Sequence, residues 1–231
     1  MTARYGLYFA PEPGSALAVL AATWLGRDAA TGDTCAQPQL PGIPADILME
    51  RTASPRHYGF HATLKPPFAL APSRTEDELR ASVAEFAQQQ QPFGLHLAPG
   101  VLGGFVALQE TTPSEELRAL AAACVIEFDG FRAPPAAKEL EKRRAAGLTP
   151  RQDALLIRWG YPYVLDEFRF HMTLTSRVQE NELRRAMLDA AGLYFADALA
   201  EPITVDAVTL FHQPSREEPF TIIDRFPFCS S

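Results

Sequence analysis

Two of the five histidines sit in one repeated pattern, His61-Ala-Thr63-Leu64 and His171-Met-Thr173-Leu174, each with a phenylalanine in front. For a chain of this composition, chance supplies about 0.04 H-x-T-L matches, so two copies need a cause. In an extended strand, residues i and i+2 share a face. Each motif then offers one imidazole and one hydroxyl to a common surface. Phe60, Ala62 and Leu64, like Phe170, Met172 and Leu174, turn the other way, toward a core. An imidazole titrates near neutrality, so one histidine can act as base while the other acts as acid. The hydroxyls of Thr63 and Thr173 can donate to the non-bridging oxygens of a phosphoryl group. The chemistry these types suit is in-line displacement at phosphorus, with base and acid on opposite sides. Such a pair implies a bell-shaped rate–pH profile with limbs on either side of neutrality.

Other residues are candidates for holding the substrate. Lys65 directly follows the first motif, and a twist of the strand end at Pro66 would bring its ammonium to a phosphate. Tyr5 and Tyr8 fall on opposite faces of the first strand, so at most one reaches a cleft; Tyr5 is the candidate, with core packing the default reading of both. Gln213, after His212 at a hydrophobic strand end, can reach a cleft rim, with surface capping as the competing reading of both. Arg225 is a candidate phosphate clamp, with an edge ion pair as the competing reading. His57 and His61 are four apart, but Gly59 lies between them and the flanking aromatics favour a strand or turn, so no metal pair is read there. Gly103-Gly104 is followed by no G-K-[ST] and is no phosphate loop. The run from Lys138 to Arg144 alternates base and acid and reads as a solvated helix face.

The elements that must position the motifs follow from local pattern. A strand over Arg4–Ala10 precedes a helix over Ala16–Leu25, capped by Ser15 and stopped near Gly26. Residues 27–44 read as loop, with a short helix around Ala45–Arg51. The first motif lies in a strand over Gly59–Leu64, ended by Pro66-Pro67. Thr75-Glu-Asp-Glu78 caps a helix to about Gln90. Strands Phe93–Leu97 and Phe105–Gln109 follow, separated by a Pro/Gly-rich connection. Thr112-Pro-Ser-Glu115 starts a helix to about Phe128, the stretch from Pro134 to Gly147 is helical, and Thr149-Pro-Arg-Gln152 opens one more helix. The second motif lies in a strand over Arg169–Leu174. A helix over 180–194 and strands Ile203–Phe211 and Phe220–Phe226 close the chain.

The motifs stand 110 residues apart, close to half of the 231. Each is followed by a helix and two strands that can pair. An internal duplication on this scale implies two similar lobes in one compact body, approximately 1–110 and 111–231, with exchange of strands between them allowed. Hydrophobic residues at 47% and charged residues at 21% fit a globular chain. The net charge of −7 argues against a protein that grips long nucleic acid by its phosphates. No apolar run approaches the roughly 20 residues of a membrane span, and the N-terminus meets Pro11, Glu12 and Pro13 too early for a signal peptide. A cytoplasmic location and no membrane partner are expected. Cys35, Cys124 and Cys229 form no C-x-x-C pair, so neither zinc nor a disulfide framework is indicated.

The paired H-x-T motifs resemble the signature of the 2H phosphoesterase superfamily. Arg4-Tyr-Gly-Leu-Tyr-Phe-Ala-Pro11, Trp24-Leu-Gly-Arg27, Tyr58-Gly-Phe-His-Ala-Thr-Leu-Lys-Pro-Pro-Phe68 and Phe170-His-Met-Thr-Leu-Thr175 further resemble a bacterial branch associated with phosphonate metabolism. The resemblance implies a bilobal α/β (α+β) fold, each lobe an antiparallel sheet with helices outside, and a cleft between them. It implies metal-independent phosphodiester chemistry by His61, Thr63, His171 and Thr173, without a cofactor. The expected substrate is a small, cyclic phosphate ester, a nucleotide or ribosyl phosphate. The competing readings are a non-catalytic phosphate-ligand module and an RNA-end processing enzyme or ligase.

Overall fold

The computed structural model describes residues 2–145 and 147–229. Strand β1 (Arg4–Phe9) leads to helix α1 (Ala16–Leu25), where Ser15 accepts a hydrogen bond from the Ala18 amide. Gly26 ends α1 at φ +81°, a conformation that favours glycine. Helices α2 (Ala45–Arg51) and α3 (Ala53–Tyr58) precede β2 (Ala62–Phe68). Helix α4 (Glu76–Ala87) opens on a reciprocal box between Thr75 and Glu78. Then come β3 (Phe93–Leu95), β4 (Leu97–Leu102), β5 (Phe105–Glu110) and helix α5 (Glu115–Glu127). Helices α6 (Ala137–Arg144) and α7 (Pro150–Trp159) precede β6 (Met172–Thr173). Helix α8 (Asn181–Tyr194) and strands β7 (Ile203–Val205), β8 (Ala207–Gln213) and β9 (Thr221–Pro227) complete the chain.

Seven strands form one antiparallel sheet in the order β4-β5-β6-β2-β1-β8-β9, and β3 pairs with β7 apart from it. Strands from the two halves of the chain alternate in blocks across this sheet. The motif strands were expected in separate sheets, and here they are joined. The joint is small: β6 has two residues and meets β2 at a single pair, Ala62 with Met172. Helices α1, α4, α5 and α8 lay Leu17, Leu79, Leu120 and Met187 on the face that carries Leu7, Phe9, Leu64, Leu108 and Met172. The other face has a smaller cluster of Tyr8, Ala10, Ala29, Phe211 and Phe220. Among the described residues, no helix is long and apolar enough to cross a membrane.

Several local expectations are corrected. Pro66-Pro67 does not end β2, which pairs with β1 as far as Phe68 opposite Tyr5. Among the described residues β6 pairs with β2 at Ala62 and not at Pro66-Pro67, where a missing amide then costs no ladder bond to it. The connection around Pro99-Gly100 is strand β4, an edge strand for the same reason. Gly103 and Gly104, at φ +57° and +93°, form the tight β4–β5 turn. The α5 cap is Ser114, which accepts from the Leu117 amide, not Thr112. His57, read as turn or strand, lies in α3.

Candidate active site

Both motifs keep the alternation that their residue types imply. Phe60, Ala62, Leu64, Phe170, Met172 and Leu174 are all buried in the main core. His61, Thr63, His171 and Thr173 are each partly exposed. Because β2 and β6 are antiparallel about the Ala62–Met172 pair, the register sets His61 across from Thr173 and Thr63 across from His171. One imidazole and one hydroxyl thus come from each strand, arranged about an approximate twofold.

Each ring is oriented by the same device. His61 Nδ1 lies 2.9 Å from the Gly59 carbonyl oxygen, and His171 Nδ1 lies 2.8 Å from that of Arg169. A carbonyl can only accept, so each Nδ1 carries the hydrogen and donates it. In the neutral ring this leaves Nε2 as a lone-pair base. His61 Nε2 is 3.3 Å from Thr63 Oγ1, so the first motif's two groups also touch each other. Gly59 supplies its carbonyl from a left-handed turn at φ +79°, where an added Cβ would lie 2.5 Å from the Cβ of Ala29. The second motif is held from behind, since the Trp24 indole donates to the Leu174 carbonyl at 3.0 Å. The Thr175 hydroxyl accepts from the Val106 amide at 2.9 Å.

Burial lowers the His61 pKa to about 4, against the hydrogen bond to Gly59, and the charge of His171 lowers it further. Burial likewise lowers that of His171, against its bond to Arg169. Both rings are neutral at pH 7 in the free protein.

The four proposed substrate contacts are placed elsewhere. A register shift between the Leu7–Lys65 and Tyr8–Thr63 pairs turns Lys65 into the helix-covered face with Leu64. There its ammonium donates to the Val125 carbonyl at 2.9 Å, 3.8 Å from Asp129. Tyr5 is on that same face, donating to Glu76 at 2.8 Å, and its pKa is pushed up to about 12 by burial and by Glu76. Gln213 is buried two strands from β2, with its oxygen held by Arg4 and its amide donating to His57 Nε2 and the Glu218 carbonyl. Arg225, on the outermost strand, pairs with Asp206 at 2.5 Å. The residue that the sequence reading passed over is Tyr8, whose ring stacks on His61 at 3.9 Å between centres. The parity of Leu7 and Phe9 carried the signal: residues on their side of β1, Tyr5 included, face the core, which leaves Tyr8 for the opposite face. Among the described residues, no group of three or more His, Cys, Asp or Glu side chains is placed to hold a metal ion.

A family model described as a protein of unknown function (DUF1045) matches residues 63–221. The chain is 42% identical over 229 residues to a protein of Janthinobacterium sp. (strain Marseille) named ribose 1,5-bisphosphate phosphokinase PhnN, covering 97% of this chain and 51% of that protein. A protein of the same name from Laribacter hongkongensis (strain HLHK9) is 36% identical over 219 residues, covering 95% of this chain and 50% of the other. The chain therefore spans about half the length of the curated relatives it matches. Among solved structures, E. coli LigT complexed with ATP is 13% identical with 99% of each chain covered and a TM-score of 0.45. Kluyveromyces marxianus Usb1 is 13% identical, with 98% of each chain covered and a TM-score of 0.40.

Proposed function

For a chain that belongs to the DUF1045 family, we propose phosphodiesterase activity on a small cyclic phosphate ester, by two-histidine general acid–base catalysis without a metal. The observation that carries this reading is the antiparallel pairing of the two motifs, with both Nδ1 atoms donating to carbonyls, so that Nε2 is the proton-transfer atom of each ring, that of His61 beside the Thr63 hydroxyl. One Nε2 takes a proton from the attacking water as the new P–O bond forms. The other ring, protonated, gives its Nε2 proton to the ester oxygen as the old P–O bond breaks. The two transfers balance: the site ends with its proton on the opposite histidine. Thr63 and Thr173 donate to the equatorial oxygens, where charge builds. Both transfers run through the imidazoles, so the step requires no Lewis acid.

Ribosyl phosphates are the favoured class within this reading. The support is the name of the relatives, which specifies a ribose bisphosphate, together with the resemblance to a phosphonate-associated branch. The phosphokinase in that name belongs to proteins about twice as long, and these 231 residues contain no G-x-x-x-x-G-K-[ST] run. The test is hydrolysis by purified protein in EDTA, followed by ³¹P NMR over 2′,3′-cyclic nucleotides and ribosyl cyclic phosphates. Ring opening of at least one is expected. Activity that vanishes in EDTA and returns with a divalent ion, or no turnover of any cyclic ester, refutes the reading.

A further inference from the structure

Tyr8 has no part in the reaction as drawn, yet it is built into the site. It is fully buried, its ring 21° from the plane of His61, with Phe211 and Phe220 around it at 4.9 and 6.3 Å between centres. Its hydroxyl oxygen is buried and has no hydrogen-bond partner among the described residues. Leaving such a group unsatisfied costs about 1–3 kcal/mol, and a phenylalanine would fill the same place without that cost. The neighbouring residue is fitted to the ring as well: a Cβ on Gly6 would stand 2.5 Å from Tyr8 Cζ and 2.7 Å from its hydroxyl oxygen. The ring therefore lies along β1 with its hydroxyl over Gly6. Stacking at 3.9 Å sets the phenol directly against the face of the imidazole. Burial holds the hydroxyl pKa well above the usual phenol value, so it remains a donor at any physiological pH.

We propose that Tyr8 is a substrate-binding residue of this site, its ring fixing the plane of His61 and its hydroxyl donating to an oxygen of the phosphate between the two histidines. The inference rests on the phosphodiesterase reading for what the phosphate belongs to. Its physical basis is that a donor kept dry and unpaired in the free protein is preorganised for an anion, and that unpaired state lowers stability in exchange.

The test compares wild type, Tyr8→Phe and Gly6→Ala by thermal unfolding, by calorimetric binding of inorganic phosphate, and by kcat and KM on 2′,3′-cyclic AMP. Tyr8→Phe keeps the stack and removes only the hydroxyl. It is expected to unfold at the same or a higher temperature and to bind phosphate about 10-fold more weakly, with KM raised about 10-fold. Gly6→Ala displaces the ring, so it is also expected to move the His61 titration midpoint seen by NMR. Unchanged phosphate affinity in Tyr8→Phe, a lower melting temperature in that variant, or no phosphate binding by wild type overturns the proposal. Weaker phosphate binding in Tyr8→Phe beside a wild type that leaves every cyclic ester intact upholds this contact and rejects the phosphodiesterase reading instead.

Discussion

Two neutral imidazoles cannot supply both an acid and a base, and burial makes both neutral at pH 7. In the proposed mechanism the competent free protein carries one proton over the pair. Below about pH 4 His61 is charged, and burial favours the neutral ring of His171 as well. The profile of kcat/KM is therefore expected to peak between about pH 4 and the ordinary histidine value of about 6.5. This shifts to the acid side a bell that residue types alone would centre on neutrality. A maximum above pH 7.5 would contradict it. Each of His61→Ala and His171→Ala is expected to lower kcat by about 10²–10⁴, and the double variant to lose far less than the product, because both act in one displacement. Thr63→Val and Thr173→Val keep shape but remove a donor, so losses of about 10–100-fold are expected in the same steady-state assay, below the usual worth of an oxyanion donor because both threonines are partly exposed.

At the scale of elements, the turn from α3 into β2 sets the angle of the first ring. Gly59 holds φ +79° there, and a side chain would collide with Ala29. Gly59→Ala is expected to cost about 1–3 kcal/mol in chemical denaturation. It should also lower the His61 pKa, because the bond to the Gly59 carbonyl favours the charged ring and the variant displaces that carbonyl. An NMR titration in which His61 holds its midpoint while stability falls would separate the turn from the site. The helices on the far side are set by local chemistry, as in the reciprocal Thr75–Glu78 box that opens α4. They support the motif strands without reaching the reacting groups.

For the whole molecule, what counts is that one sheet separates a helix-packed core from the face with the histidines. Lys65 belongs to the core side, and Asp129 beside it is also paired with Arg132 at 2.9 Å and Arg158 at 3.0 Å. Lys65→Met therefore leaves no orphaned carboxylate. It is expected to hold or raise the melting temperature and to leave kcat and KM unchanged, whereas a phosphate ligand at this position would show a raised KM. Stability also depends on acid through the site. The unfolded chain protonates its His61 near pH 6.5, while the folded chain resists until about 4. Between those values the unfolded state binds more protons, so this group's contribution to stability falls as pH drops from 6.5 to 4 and is flat outside that window. The checking measurement is the difference in denaturation between wild type and His61→Gln, which should shrink over that interval.

The sequence by itself determined which side chains of the two motifs share a face. A period of two in H-x-T-L states which side chains share a face, and a strand leaves no other choice. Caps such as Thr75 with Glu78 and stops such as Gly26 are equally local, which is why most helices were legible within a residue or two. Tertiary structure decided what depends on partners far along the chain. Pro66-Pro67 lies inside a strand only because β6 is too short to need those missing amides. Lys65 leaves the histidine face only because a register shift against β1 turns it toward Val125. The motifs meet as an antiparallel pair because β6 inserts between β5 and β2, a pairing of residues 110 apart. Burial, which sets both imidazole pKa values and leaves the Tyr8 hydroxyl unpaired, is a property of the assembled sheet and its cover, and no spacing within the chain encodes it.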